Sequence, residues 1–203
     1  MTLHIAGLSK SVAGRRIIDA LTLDVVPGER LAFVGPPGSG KSTLLALIAG
    51  LLRPDAGSLS IGGFDMYYQP AQAKRRVGYV PQEAPGVAPL TADEYLRLLA
   101  EIYGLSEQQF VERAEALSWL RDDASPRRTR LLGAMLHLPS LLLIDEPRAW
   151  PTEDLEAVER AAAETVREGG ATIIATRDGV VAQRLHARVV ALGTLSAAAG
   201  GTP

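Results

Sequence analysis

The chain has no cysteine, so disulfides and thiol-based metal or redox sites are excluded. Its three histidines, His4, His137 and His186, show no metal-ligand spacing. Lys10, Lys41 and Lys74 are the only lysines, so the positive charge is mostly arginine. Charge of either sign is not in excess: 21 Lys and Arg face 23 Asp and Glu, for a net charge of −2. Binding to bulk nucleic acid is therefore not expected. No apolar run approaches the length that spans a bilayer, and residues 1–10 contain no signal-peptide core. These absences predict a cytoplasmic protein that reaches a membrane only through a partner. Aromatic residues make up 5% of the chain, yet 47% of residues are hydrophobic, enough for a normal core. A length of 203 residues suggests a single domain, 1–203.

What is present begins with Gly35-Pro36-Pro37-Gly38-Ser39-Gly40-Lys41-Ser42. This matches G-x-x-x-x-G-K-[ST], the phosphate-binding loop of nucleoside triphosphatases. Leu31-Ala32-Phe33-Val34 before it reads as a buried strand, and residues 43–49 after it as a helix ending at Gly50. The chemistry requires that order. Glycines let backbone N–H groups turn around an anion, and the helix N-terminus adds a positive dipole end. Pro36 and Pro37 have no N–H to offer, so the expected cradle is Gly35 with Gly38, Ser39, Gly40, Lys41, Ser42 and Thr43. Lys41 is expected to reach the β- and γ-phosphates of ATP, and the Ser42 hydroxyl to ligate Mg²⁺.

Strands alternate with helices over the rest of the chain. Leu3-His4-Ile5-Ala6 and Leu21-Thr22-Leu23-Asp24-Val25 alternate apolar and polar residues, as half-buried strands do. Ser58-Leu59-Ser60-Ile61 follows the turn at Arg53-Pro54-Asp55-Ala56-Gly57, and Val77-Gly78-Tyr79-Val80 is a short strand before Pro81-Gln82. Thr91 with Glu94 forms a capping-box pattern, after which Leu96, Leu99, Ala100 and Tyr103 recur at helical spacing. That stripe reads as core packing or as a docking face. Further helices are expected over 107–120, 131–138 and 155–168, and strands at Leu141-Leu142-Leu143-Ile144, 171–175 and 189–192. Residues 197–203 read as a frayed tail. The alternation predicts an α/β fold with a mainly parallel sheet.

Asp145 and Glu146 end an apolar strand far downstream of the phosphate loop. A Mg²⁺-binding carboxylate belongs there in a P-loop protein, which makes Asp145 the partner of Ser42. Glu146 is the candidate general base for an attacking water. Gln82 is a candidate contact to Mg²⁺ or its water, or else a loop glutamine at the surface. No Asn-Lys-x-Asp guanine motif is present, which argues against a small GTPase.

Together, the phosphate loop, Val77-Gly78-Tyr79-Val80-Pro81-Gln82 and Leu141-Leu142-Leu143-Ile144-Asp145-Glu146-Pro147 resemble the ATP-binding subunit of an ABC transporter. Pro89-Leu90-Thr91-Ala92-Asp93-Glu94-Tyr95-Leu96 and Ile102-Tyr103-Gly104 look most like the ABC-2 exporter branch. The resemblance covers nearly the whole chain. It implies a P-loop NTPase with a RecA-like core, an antiparallel β subdomain and a helical subdomain at about 84–130. It also implies a second nucleotide-binding subunit, identical or different, and a transmembrane permease partner that holds this chain on the inner face of the cell membrane. Two ATP molecules are sandwiched between subunits in that family.

Four departures qualify the resemblance. The family's LSGGQ signature is replaced by Arg121-Asp122-Asp123-Ala124-Ser125-Pro126, which lacks glycines and brings two carboxylates where an anion docks. This region is also roughly a dozen residues short, consistent with a trimmed helical subdomain. Thr176-Arg177-Asp178 replaces Thr-His-Asp, so a permanent cation stands where a titratable imidazole is usual. Arg177 reads equally as a phosphate contact or as a surface ion pair. Arg148-Ala149-Trp150-Pro151-Thr152 replaces the D-loop, and Val12 stands in for the aromatic that stacks on adenine. Loss of a base–aromatic stack costs about 1 kcal/mol or more. Groups acting within one chain survive; groups acting across a dimer are degraded. The expectation is ATP binding with weak or partner-dependent hydrolysis, with a nucleotide-binding pseudo-ATPase in a regulatory or assembly role as the alternative.

Overall fold

The computed structural model describes residues 1–82, 90–121, 125–147, 151–177 and 179–193. The altered signature at 122–124, most of the altered D-loop at 148–150, Asp178 and the tail lie outside the described residues, as does 83–89.

Two sheets form the frame. The first is antiparallel, in the order β2-β1-β4-β5, from β1 (Leu3–Val12), β2 (Arg15–Val25), β4 (Ala56–Ile61) and β5 (Phe64–Asp65). The second is parallel, in the order β6-β7-β8-β3-β9, from β3 (Arg30–Val34), β6 (Val77–Val80), β7 (Leu141–Asp145), β8 (Ala171–Thr176) and β9 (Arg188–Ala191). The expected α/β architecture, mainly parallel with an antiparallel sheet, is what the chain adopts. β7 and β8 are buried at every residue, because helices and the other sheet cover both faces.

Side chains alternate between two cores, as strand geometry requires. Phe33, Leu141, Leu143 and Ile173 join Leu3, Ile5, Leu44 and Ile48 on one face. The helix α1 (Lys41–Ile48) lies on that side. Ala32, Leu142, Ile144 and Ile174 face the other core, with Leu96, Leu131, Leu132 and Val158. Those partners come from α3 (Ala92–Tyr103), α5 (Pro126–Met135) and α6 (Thr152–Arg167). The short helices α2 (Pro70–Lys74), α4 (Glu107–Ala116) and α7 (Gly179–Arg184) complete the described elements.

Local chemistry sets the helix boundaries. The Thr91–Glu94 capping box forms as expected, and Ser106 with Gln109 makes a second at the start of α4. The helix expected over 107–120 stops at Ala116, and Ser118–Leu120 is a separate 3₁₀ turn. α6 begins at Thr152 rather than at residue 155, with Glu153 and Asp154 in its first turn, where negative charge suits the helix dipole. Among the described residues, no helix is long and apolar enough to cross a membrane.

Candidate nucleotide-binding site

The parallel sheet gathers the candidate residues at the C-terminal ends of four adjacent strands. Gln82 follows β6, Asp145 and Glu146 end β7, Arg177 follows β8, and the phosphate loop follows β3. Open α/β sheets hold ligands at this edge. A cleft of 290 Å³ is lined there by Pro37, Gly38, Gly40, Lys41, Ser42, Thr43, Gln82, Glu146 and Arg177, with Val12 and Ile17.

The loop's shape rests on its glycines. Gly38 and Gly40 have φ of 78° and 89°, a region that L side chains seldom adopt. A Cβ on Gly40 would also lie 2.7 Å from Ile17 Cγ2. Gly35 needs its missing side chain differently: a Cβ there would come within 2.2 Å of the Leu192 carbonyl oxygen. The Ser39 N–H donates to the Pro36 carbonyl at 3.2 Å, so it closes the loop instead of facing an anion. The Gly35 N–H is likewise used within the chain, donating to the Thr176 carbonyl at 3.2 Å. Ser39 stays in the site through its hydroxyl, 3.4 Å from Lys41 Nζ. The first N–H groups of α1, from Lys41, Ser42 and Thr43, have no acceptor within a regular helix.

Lys41 is 5% exposed. Its ammonium donates to the carbonyls of Gly35 at 2.8 Å and Pro36 at 3.0 Å. Glu146 is equally buried, and its Oε1 lies 3.8 Å from Lys41 Nζ and 3.4 Å from Arg177 Nε. The backbone at Glu146 is left-handed, with φ of 48°, a conformation that costs about 1–2 kcal/mol for a residue with a side chain. Its N–H is fixed to the Ala175 carbonyl at 2.8 Å, holding the turn that keeps its carboxylate beside Lys41 and Arg177.

Asp145 is 2% exposed. Burial pushes its carboxyl above the usual range, opposed by a hydrogen bond from the Ser42 hydroxyl, while the charge of Glu146 pushes the same way as burial. Asp145 Oδ1 is buried without a hydrogen-bond partner. A buried carboxylate oxygen with no hydrogen-bond partner fits a hard, oxygen-liganded cation such as Mg²⁺. Among the described residues, no group of three His, Asp or Glu converges on a metal position.

The structure thus brings together Gly38, Gly40, Lys41, Ser42, Thr43, Gln82, Glu146 and Arg177 around one cleft, with Asp145 next to Glu146 at the end of β7. Arg177 is paired with Glu146 inside the cleft, so the two readings of it as phosphate contact and ion pair share one position. Val12 also reaches the cleft, joined by Ile17. Ile17 went unread in the sequence, because its approach to Gly40 exists only in the folded chain. Val12 and Ile17 give the cleft an aliphatic wall.

Comparisons with known proteins agree with this geometry. The family described as "ABC transporter" matches residues 18–149. The linearmycin resistance ATP-binding protein LnrL of Bacillus subtilis is 31% identical over 158 residues, covering 71% of this chain and 51% of that protein. The Fe(3+) ions import ATP-binding protein FbpC of Yersinia pestis is 33% identical over 198 residues, covering 87% of this chain and 55% of that protein. The chain spans about half the length of these curated relatives. A solved ATP-binding subunit of an ABC transporter superposes with a TM-score of 0.84 at 27% identity, covering 95% of this chain and 86% of that one. A dimeric bacterial ABC transporter cassette shares the fold, with a TM-score of 0.80 at 22% identity over 95% of this chain and 94% of that one.

Proposed function

Because the chain belongs to the ABC transporter family, we propose that it is the ATP-binding subunit of an ABC-type transporter and takes ATP in the Lys41 cleft. The observation that supports this most is the placement of Lys41, Ser42, Asp145 and Glu146 at one sheet edge, around a left-handed glycine loop. Lys41 would leave the Gly35 and Pro36 carbonyls for the β- and γ-phosphates, and the first N–H groups of α1 would bind the same oxygens. Ser42, Asp145 and Gln82 would hold Mg²⁺, which neutralises charge on the phosphates. Glu146 would accept a proton from an attacking water.

Hydrolysis by the chain alone is proposed to be weak. Its support is in the sequence: Arg121 to Ser125 carries no glycine to approach a phosphate across a dimer. A second nucleotide-binding subunit with an intact signature would complete the site formed by Lys41 and Glu146. The working unit would be residues 1–203 as one nucleotide-binding domain, with its helical part at about 84–130. It would sit on the cytoplasmic face of the membrane through a permease. No observation favours the regulatory pseudo-ATPase alternative.

Titration of the purified chain with ATP tests the reading. Wild type should bind, and Lys41→Ala should lose about a hundredfold in affinity, since a charge-assisted bond to phosphate contributes roughly 1.5–3 kcal/mol. Equal affinity in the two proteins would refute it.

A further inference from the structure

We infer that Arg75 and Arg76 form a second anion site, at the end of the parallel sheet opposite the nucleotide cleft, and that it takes a phosphate group. The inference stands apart from the ATP-binding reading above.

β6 and β7 run parallel with Val77 beside Leu141, so the residues just before them, Arg76 and Ser140, are neighbours. The Leu141 N–H donates to the Arg76 carbonyl at 2.9 Å and fixes that approach. A cavity of 310 Å³ opens there, lined by Phe64, Gln72, Arg75, Arg76, Leu138 and Ser140. Its wall holds two guanidiniums and no carboxylate. Neither guanidinium has a hydrogen bond or ion pair among the described residues. Arginines elsewhere are neutralised: Arg97, Arg128, Arg184 and Arg188 each pair with a carboxylate. Capping of the preceding helix does not account for the pair. α2 has five residues and already carries Lys74 in its last turn, so its C-terminal end does not call for two more cations.

The Arg76 guanidinium is held in place. Its carbon lies 4.8 Å from the Phe64 ring centroid, and a Cβ on Gly62 would come 2.8 Å from its Cδ and 3.0 Å from its Nε. Stacking occupies a face of the guanidinium and leaves the N–H donors at its edge. That edge recognises phosphate through paired, charge-assisted bonds. Arg75 is exposed beside it. Gln72 adds an amide, and the Ser140 hydroxyl is only weakly engaged with the Arg76 carbonyl, at 3.5 Å. This set of donors on one cavity suits a tetrahedral oxyanion better than a carboxylate, which has only two oxygens to share among them. Free phosphate and a phospholipid head group both carry that chemistry.

The test is equilibrium dialysis of the full chain against labelled inorganic phosphate, beside co-sedimentation with phosphatidylglycerol vesicles, with phosphatidylcholine vesicles as reference. Every variant is made in Lys41→Ala, which weakens phosphate binding at the glycine loop. Arg75→Gln and Arg76→Gln should each weaken phosphate about tenfold, the loss of one charge-assisted bond. Arg76→Lys should recover only part of that loss, since an ammonium keeps the charge but not the fork. Arg97→Gln removes equal charge from a solvated face and should leave binding unchanged. Acetate should compete at least tenfold less well than phosphate, on the order of one charge-assisted bond. Arg75 is exposed, so Arg75→Gln should keep the parent Tm and decides the matter should Arg76→Gln unfold.

Phosphate binding without retention on vesicles identifies a soluble phosphate as the ligand. Retention on phosphatidylglycerol that is lost in Arg75→Gln identifies a head group. Both uphold the inference. Arg75→Gln and Arg97→Gln behaving alike with both probes overturns it, as does a Lys41→Ala protein that binds neither probe. Phosphate bound only through Lys41 also overturns it, and leaves the ATP-binding reading standing.

Discussion

At the cleft, Lys41, Asp145 and Glu146 are almost wholly buried and lie within reach of one another. On the surface of α3 and α4 the charges are arranged oppositely. Arg97 bonds Asp93 and Glu107 at 2.9 Å, and Arg121 reaches Asp93 at 3.3 Å, with all four side chains about half exposed or more. The helical charges are a solvated face, where each pair contributes little. The cleft charges are costly to bury and are tolerated where a phosphate and a cation would repay them. Composition alone cannot tell these regions apart, since both are rich in Arg, Asp and Glu. Burial separates them, and the family motifs fall on the buried side.

The largest expected effect at a point remote from the cleft comes from His137. It follows α5 at the opposite edge of the sheet, donates from Nε2 to the Val77 carbonyl at 3.1 Å, and stacks on Tyr103 with ring centroids 3.6 Å apart. Burial pushes its imidazole down from 6.5 to about 4. The folded state thus binds a proton less readily than the unfolded state. Stability is full above pH 6.5 and falls by about 3 kcal/mol as the pH drops toward 4. Denaturant unfolding at pH 7 and pH 4.5 should show this loss in wild type and a flatter profile in His137→Phe. ATP affinity at pH 7 should not change in that variant. A change there would blur the separation between the two regions.

Next in size is Gly78→Ala, where β6 meets α5. The added Cβ would fall 2.1 Å from the Ala134 carbonyl oxygen. Backbone cannot step aside cheaply, so the expected cost is about 2 kcal/mol, read as a lower Tm. Asp145→Asn should act with the opposite sign on stability. Burial raises the Asp145 carboxyl above its unfolded value of 3.8, so its charged form penalises folding at neutral pH and the penalty fades on acidification. The variant should melt higher than wild type at pH 7, converge with it toward pH 3.8, and lose the Mg²⁺ dependence of ATP binding. Smallest is Arg97→Met. With its partners exposed on α3 and α4, the substitution should leave both Tm and ATP affinity within experimental scatter. A clear loss of ATP affinity would mean that this face reaches the site.

The phosphate loop and strands β3, β7 and β8 were legible because each is written in consecutive residues: a glycine spacing, or an unbroken apolar run. β1 and β2 were legible only in part. Their pairing shifts register between Ile5 and Leu8 and again before Lys10, which breaks the alternation that marks a half-buried strand. α2 and α7 were missed because five and six residues hold too little periodicity to register. At the site, the sequence named Lys41, Ser42, Asp145 and Glu146, since each belongs to a local motif. The Arg177–Glu146 pair was not legible, because it depends on β7 and β8 lying side by side. The use of the Ser39 N–H inside the loop and the approach of Ile17 to Gly40 are likewise products of tertiary geometry.

Steady-state ATP hydrolysis by the purified chain alone, with Glu146→Gln as the control, tests most directly whether a site complete within one chain lacks what a partner must supply. The account predicts turnover no greater than the control. Turnover well above the control and lost in Glu146→Gln would contradict it, showing that the chain needs no intact signature from a second subunit.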